Sequence, residues 1–128
     1  MRNRELIQTL YAAFAARDAD AMMASLDDEV HWTEAEGFPY AGTHVGPQAV
    51  MDNVWMRMAT EWDDWQAHLD DVIVEGDRAA ATGTYTAVYK VTGKKLRARF
   101  AHTFQIRDGK IVKMEQFVDS AKVNEVLT

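Results

Sequence analysis

Large rings and acidic side chains are mixed in one short stretch of the chain. Residues 31–47 read HWTEAEGFPYAGTHVGP, whereas a surface connection normally carries small polar residues. A carboxylate surrounded by rings is a candidate general base, because an apolar environment raises its pKa toward neutrality. The stretch therefore predicts side chains that furnish a ligand cavity, and its bulky or ionisable members are Trp32, Glu34, Glu36, Phe38, Tyr40 and His44.

A candidate partner for such an acid is His102. It lies in a predicted strand, residues 95–107, whose alternation puts six residues on one face: Leu96, Ala98, Phe100, His102, Phe104 and Ile106. His102 is the only polar member of that face, so we expect its side chain inside the fold. The same alternation puts Glu34 on the face of Val30 and Trp32, in a strand predicted over residues 30–34.

Glu34 and His102 could together move a proton, with the carboxylate as base and the imidazole as the group that holds or delivers the proton. The same residues also fit a structural interpretation. In that alternative Glu34 points to the mouth of the cavity and His102 bonds a backbone carbonyl. Sequence spacing leaves both interpretations open.

Several other chemistries are disfavoured by the sequence. The chain has no cysteine, and its 4 histidines lack HxH or HExxH spacing, so neither thiol chemistry nor a metal site is predicted. The chain has no GxSxG, GxGxxG or Walker pattern, which argues against an acyl-enzyme and a nucleotide site. His44 is interpreted as a loop histidine and Asp119 as a helix cap. Because the sequence has neither a metal-binding nor a nucleotide-binding motif, we expect no cofactor.

The elements that must position these residues change type halfway along the chain. Apolar spacing predicts helices over about residues 3–16 and 47–60, with a short helix capped by Asp20 after the first. The second half predicts four antiparallel strands in a meander and a last short helix; the strands are residues 65–75, 78–90, 95–107 and 110–118. This order indicates an α+β fold with helices packed on one face of a curved sheet.

Length, charge and composition restrict the function further. A chain of 128 residues suits one domain covering residues 1–128. The net charge of −6 argues against a nucleic-acid partner, and no segment approaches the ~20 apolar residues that a membrane span needs. With no cysteine, a cytoplasmic location is the default expectation.

Five phrases of the sequence resemble the NTF2-like superfamily, and within it the SnoaL-like group related to ketosteroid isomerases and polyketide cyclases. They are LYAAFAARDADAM, EVHW, FPYAGTHVGPQAV, VEGDRAAATG and FAHTFQIRDGKIVKMEQFVDSAKV. The resemblance covers nearly the whole chain. It implies a cone in which three helices pack on the concave face of a curved antiparallel sheet, a deep apolar pocket and a homodimer.

The resemblance also implies roles for individual residues. Glu34 falls at the place of the isomerase base, and His102 fits the histidine of the cyclases. The place of its acid partner falls either at Gln116 or at Asp119, which lies at the end of the strand. The isomerase tyrosine falls at Leu10, one residue before Tyr11, and residues 94–107 lack the isomerase's second acid. Tyr40 or Gln116 would orient a substrate carbonyl. The full set of expected substrate contacts is Tyr11, Phe14, Trp32, Tyr40, Trp55, Met114 and Gln116.

Three functions fit these expectations. The first is a SnoaL-like enzyme that performs cofactor-independent proton transfer, of the isomerase or cyclase type, on an apolar carbonyl or polycyclic substrate. The second is a binding domain that holds an apolar small ligand without chemistry. The third is a dimerisation scaffold whose pocket is filled by its own side chains.

Overall fold

The computed structural model describes residues 2–128. Within these residues, five α-helices and six strands follow one another as α1 (Arg2–Ala16), α2 (Ala19–Ala24), β1 (Leu26–Glu34), β2 (Gly42–Val45), α3 (Pro47–Val50), α4 (Met56–Glu61), β3 (Trp62–Glu75), β4 (Arg78–Tyr89), β5 (Lys95–Arg107), β6 (Lys110–Val118) and α5 (Ser120–Glu125). A π-helical turn, Met51–Trp55, joins α3 to α4. The predicted α+β class is confirmed.

One mixed sheet contains all six strands, in the order β2-β1-β6-β5-β4-β3. Strands β3 to β6 form the predicted antiparallel meander. The expectation of a purely antiparallel sheet needs one correction, because β1 pairs with β6 in parallel. This parallel pair brings the first strand beside the last, so that residues far apart in the sequence meet in the centre of the sheet.

Irregular pairing bends the long strands. The register of β3 against β4 shifts between Asp63 and Gln66 and again between Leu69 and Asp71. Such bulges increase the local twist and curl a sheet. Helix α1 packs against β3 and β4, and α4 packs against β3, so the helices cover the curled sheet and enclose its inner face.

The inner face of β5 carries the predicted alternation without interruption. Its inward residues, from Leu96 to Ile106, are buried, and the arginines between them point outward. Alternation of this kind lets one face pack on a core while the other meets water. His102 is thereby fixed inside the fold, as the sequence predicted.

Three details differ from the sequence expectations. Strand β1 begins at Leu26, before the predicted Val30, and the short strand β2 was not predicted. Helix α2 is capped by Asp18, whose side chain accepts a hydrogen bond from the Ala21 backbone, so the prediction of Asp20 as the cap was wrong. No helix within residues 2–128 has the length and apolar character needed to cross a membrane.

Candidate active site

An internal chamber lies between the inner face of the sheet and the helices. The free space in which a water-sized sphere fits is about 50 Å³, enough for a few water molecules. Most of its wall is apolar, and one end carries the polar groups of Tyr11, Glu34, Tyr85 and His102. The apolar residues of the wall are Leu10, Phe14, Met22, Trp32, Val54, Trp55, Met58, Trp65 and Ala67.

Glu34 is the acid of this chamber. It ends β1 on the same face as Trp32, and only 4% of its surface is exposed. Burial raises the pKa of its carboxyl to about 8, because the apolar surroundings disfavour the charged form. The Trp32 indole opposes part of this shift, although its nitrogen has no partner in hydrogen-bond geometry within residues 2–128.

His102 lies between two tyrosines. Its Nε2 atom is 2.6 Å from the Tyr85 hydroxyl oxygen, and its Nδ1 atom is hydrogen-bonded to the Tyr11 hydroxyl. Burial lowers the pKa of the imidazole to about 3, because the site disfavours its cation. The ring is therefore neutral at physiological pH, and both of its nitrogens are occupied.

A second layer of polar contacts supports this arrangement from behind. Gln116 lies directly opposite His102 on β6. Its Nε2 atom donates to the Tyr85 hydroxyl at 2.9 Å, and its Oε1 atom accepts from the Ala35 backbone N–H at 3.0 Å. The backbone after β1 is thus connected to Tyr11 by an unbroken series of hydrogen bonds.

Stacked rings hold the imidazole plane in place. Phe100 stacks on both neighbours, with ring centroids 4.2 Å from Tyr85 and 4.5 Å from His102. Gly83, on the adjacent strand, makes room for Phe100, because a Cβ atom there would lie 2.7 Å from the ring and 2.1 Å from the His68 carbonyl oxygen. The stack therefore depends on a glycine at this position.

The helical wall of the chamber includes the π-helical turn. The Met56 N–H donates to the Met51 carbonyl, five residues earlier, instead of four as in an α-helix. The consecutive residues Val54 and Trp55 both line the chamber, followed by Met58. Turns of this type frequently occur at functional sites.

A second apolar cavity, which we call the vestibule, adjoins the chamber. Its free volume is about 310 Å³, and it is bordered by Met51, Met56 and Trp62 together with Arg17 and Asp64. Five side chains border both cavities and separate them: Phe14, Met22, Trp55, Met58 and Trp65. Methionine side chains adapt their shape readily, so this partition can rearrange around a ligand.

The chamber brings six of the nine predicted site residues together: Tyr11, Phe14, Trp32, Glu34, Trp55 and His102. Tyr40, Met114 and Gln116 do not line it. The Tyr40 hydroxyl donates to Glu61 at 2.7 Å and accepts from the Trp62 indole, which draws it away from the chamber. Met114 is fully buried beside Trp32, and Gln116 lies behind Tyr85.

Seven of the residues that line the chamber were not among the predicted site residues, and the two of them with aromatic rings are Tyr85 and Trp65. Tyr85 shares its face of β4 with Ala79, Ala81 and Ala87. Because those residues are small, the sequence shows no alternation of large apolar and polar residues that would predict a buried face there. Trp65 lies within the first bulge of β3, where alternation fails. Asp119 caps α5, as predicted. His44 lies on β2, so its interpretation as a loop histidine was wrong, and its Nε2 atom is 3.0 Å from the Tyr40 carbonyl oxygen.

Within residues 2–128 no three histidine or acidic side chains are grouped so that they could hold a metal ion. The chamber offers instead a buried carboxyl group, a phenol hydroxyl and a neutral imidazole on an apolar wall. Such a set can accept and donate protons near neutral pH.

Comparison with known proteins finds relatives for nearly the whole chain. Residues 7–114 match the model of the SnoaL-like domain. Patulin synthesis protein F of Aspergillus clavatus is 31% identical over 72 residues, which are 55% of this chain and 36% of that protein. This chain thus matches about a third of the length of that curated relative.

Solved structures share the fold over nearly their full length. An NTF2-like protein of Burkholderia thailandensis is 36% identical with a TM-score of 0.95, covering 98% of this chain and 97% of that one. TerC, co-crystallised with polyporic acid, is 26% identical with a TM-score of 0.89, covering 98% of each chain. The predicted NTF2-like cone is confirmed.

Proposed function

The chain belongs to the SnoaL-like domain family, and from that premise we propose that it is a small-molecule enzyme which transfers a proton next to a carbonyl group without a cofactor. The substrate class is an apolar carbonyl compound with a ring system. The observation that carries the proposal is the Glu34 carboxyl, which is buried at the chamber and has a pKa of about 8. A carboxylate with that pKa is a strong enough base to act on carbon.

In the proposed reaction the Glu34 carboxylate takes a proton from the carbon beside the carbonyl. The C–H bond breaks, its electron pair moves into the enolate, and the carbonyl oxygen gains negative charge. Tyr11 donates a hydrogen bond to that oxygen, which stabilises the charge as it develops. The Glu34 carboxylic acid then returns the proton to the same carbon or to another carbon of the enolate.

His102 takes a different part from the one expected of it. With a pKa of about 3 it is not an imidazolium at neutral pH and cannot serve as the acid, and both nitrogens are engaged by Tyr11 and Tyr85. It therefore acts through Tyr11, as a positioning residue. Tyr40 and Gln116 have no direct contact with the substrate in this scheme.

The dimensions of the two cavities limit how the substrate lies. About 50 Å³ of free space accepts the reacting end, and the vestibule of about 310 Å³ accepts an apolar body. Displacement of Met22 and Met58 would join the two spaces. The co-crystal of TerC with polyporic acid supports a small-molecule ligand for this chain.

The proposal is tested by hydrogen exchange on apolar ketones, with cyclohexanone and the bicyclic 2-tetralone as probes. In deuterated water the protein should exchange the hydrogens beside the carbonyl, measured by mass spectrometry. The rate should rise with pH and level off above about pH 8, because only the charged form of Glu34 is a base. Exchange no faster than in buffer would contradict the proposal.

A second candidate function is binding without chemistry. It is favoured by the absence of any carboxylate on β5, where the related isomerases carry their second oxyanion donor. A pure binding domain would retain an apolar ligand in native mass spectrometry and would exchange no hydrogen. The same two measurements therefore separate the candidates.

Three predictions from the sequence stay predictions: a homodimer, a cytoplasmic location and a single domain. Sedimentation at micromolar concentration measures the first. A species of only 14.5 kDa would contradict it.

A further inference from the structure

We infer that Gln116, which does not line the chamber, fixes the tautomer of His102 and thereby turns the Tyr11 hydroxyl hydrogen into the chamber. The chamber would then select ligands that present an acceptor oxygen, such as a ketone, an enolate or a phenolate. This inference deepens the proposed function and rests on it for the role of Tyr11. The hydrogen-bond direction itself is a property of the protein alone.

The direction is set first at the Gln116 side chain. The Ala35 backbone N–H can only donate, so the amide atom 3.0 Å from it must be the oxygen. The amide nitrogen is then turned toward the Tyr85 hydroxyl, 2.9 Å away. Because that NH₂ group can only donate, the Tyr85 oxygen accepts from Gln116.

The Tyr85 hydroxyl determines which nitrogen of His102 accepts a hydrogen bond. Having accepted from Gln116, Tyr85 has one hydrogen to donate, and His102 Nε2 is the acceptor 2.6 Å away. A neutral imidazole that accepts at Nε2 carries its hydrogen on Nδ1. The Nδ1–H group then donates to the Tyr11 oxygen, and the Tyr11 hydrogen is left free to point into the chamber.

The opposite tautomer fits the contacts less well. With the hydrogen on Nε2, the Tyr85 oxygen would accept two hydrogen bonds, and the Tyr11 oxygen would accept none from the protein. In the inferred arrangement each hydroxyl oxygen accepts one hydrogen bond, Tyr85 donates one to His102, and the Tyr11 hydrogen is left for a ligand. In such a series of hydrogen bonds, each bond polarises its neighbours and strengthens them. Burial supports the neutral ring on which both tautomers depend, since it lowers the pKa of His102.

The ligand preference follows from the free hydrogen. Tyr11 offers a donor at the polar end of an apolar chamber, where an unpaired polar group is costly. A ligand oxygen with lone pairs satisfies it, whereas a hydrocarbon of the same shape leaves it unpaired. The site should therefore discriminate 2-tetralone from tetralin, which has the same ring system without the oxygen.

The tautomer is measured by nitrogen NMR on protein labelled with ¹⁵N-histidine, with the His102 signals assigned by their loss in His102→Asn. The expected result is a protonated Nδ1 and an unprotonated Nε2. A protonated Nε2 in the wild-type protein would overturn the inference. This readout needs no turnover, so a failure of the proposed reaction and a failure of the inference are distinguishable.

The role of Gln116 is tested by Gln116→Met, which keeps the length of the side chain but removes its donor. The Nδ1–H tautomer should lose its dominance, and the preference for 2-tetralone over tetralin should fall from about tenfold toward unity. Gln66→Met is the matched control, because the Gln66 side chain donates to Asp64 on the surface, away from the chamber. A Gln116→Met protein with an unchanged tautomer would overturn the inference, and if this variant does not fold, the wild-type tautomer decides.

Discussion

Tyr40 and Glu61 are joined by a hydrogen bond of 2.7 Å near the surface, whereas Tyr11 and Glu34 lie at the chamber without a hydrogen bond between them. The first pair is fully engaged, since Arg57 bonds Glu61 at 3.1 Å and also stacks over the Tyr40 ring. These contacts stabilise the folded state and leave little capacity for a ligand.

The second pair keeps that capacity. Glu34 is buried away from cations, and its charge, when present, raises the pKa of Tyr11 in addition to the effect of burial. The two pairs contain the same residue types and differ in what surrounds them. Residue type therefore identifies a candidate, and unsatisfied bonding capacity at a cavity identifies a site.

The largest expected effect comes from neutralising the two acids separately. Glu34→Gln should lower the deuterium exchange of 2-tetralone by about 10²–10⁴-fold, because the base is lost. Glu61→Gln removes the same charge from the other pair and should leave the rate within about twofold, since it lies outside the chamber. Equal losses in both variants would contradict the distinction between the pairs.

A smaller effect is expected from removing the two hydroxyl groups. Tyr11→Phe should lower kcat by about 10²-fold, because the oxyanion loses one donor. Tyr40→Phe should leave kcat unchanged and reduce the free energy of unfolding by about 1 kcal/mol, the worth of a hydrogen bond. Exchange kinetics and urea unfolding measure the two effects. A slow Tyr40→Phe enzyme would indicate that Tyr40 reaches the substrate.

The smallest expected effect is on stability as a function of pH. Glu34 keeps its proton up to about pH 8 in the folded protein and loses it near pH 4.5 when unfolded, so folding weakens as the pH rises through that window. His102, with its pKa lowered from 6.5 to about 3, has the opposite effect, because folding weakens as the pH falls from 6.5. Stability should therefore be highest between pH 4.5 and 6.5.

Of Glu34 and His102, only Glu34 changes the stability between pH 6.5 and 8. Over that range its titration lowers the free energy of unfolding by about 2 kcal/mol. Urea unfolding at several pH values should reveal this loss in the wild-type protein and in Glu61→Gln, and Glu34→Gln should abolish it. A Glu34→Gln protein that still loses stability by the same amount would assign the effect to another group.

Alternation within regular strands made part of the site predictable from the sequence. Glu34 and His102 lie on strands whose inner faces carry large apolar residues, so the period of two was enough to infer their burial. The helix stripe containing Tyr11 and Phe14 was equally clear. The sequence could not indicate that β1 pairs with β6, because parallel neighbours need no common turn.

The remainder depended on contacts that no local pattern encodes. Tyr40 lies in a connection, where the direction of a ring is set by its tertiary partners, here Glu61 and Trp62. Gln116 was expected at the substrate, but the Ala35 backbone and Tyr85 hold it one layer behind. Tyr85 was hidden by small neighbours, since alanine and glycine allow a strand to face either way.

The π-helical turn at Met51–Trp55 has a consequence for the length of the chain. A π turn holds one residue more than an α turn, so it absorbs a single inserted residue while the helix on each side keeps its phase. Removal of the exposed Asp52 would let the segment rewind as an uninterrupted α-helix. Insertion or deletion of one residue in this turn would therefore change which side chains line the chamber, while the helices on both sides keep their orientation.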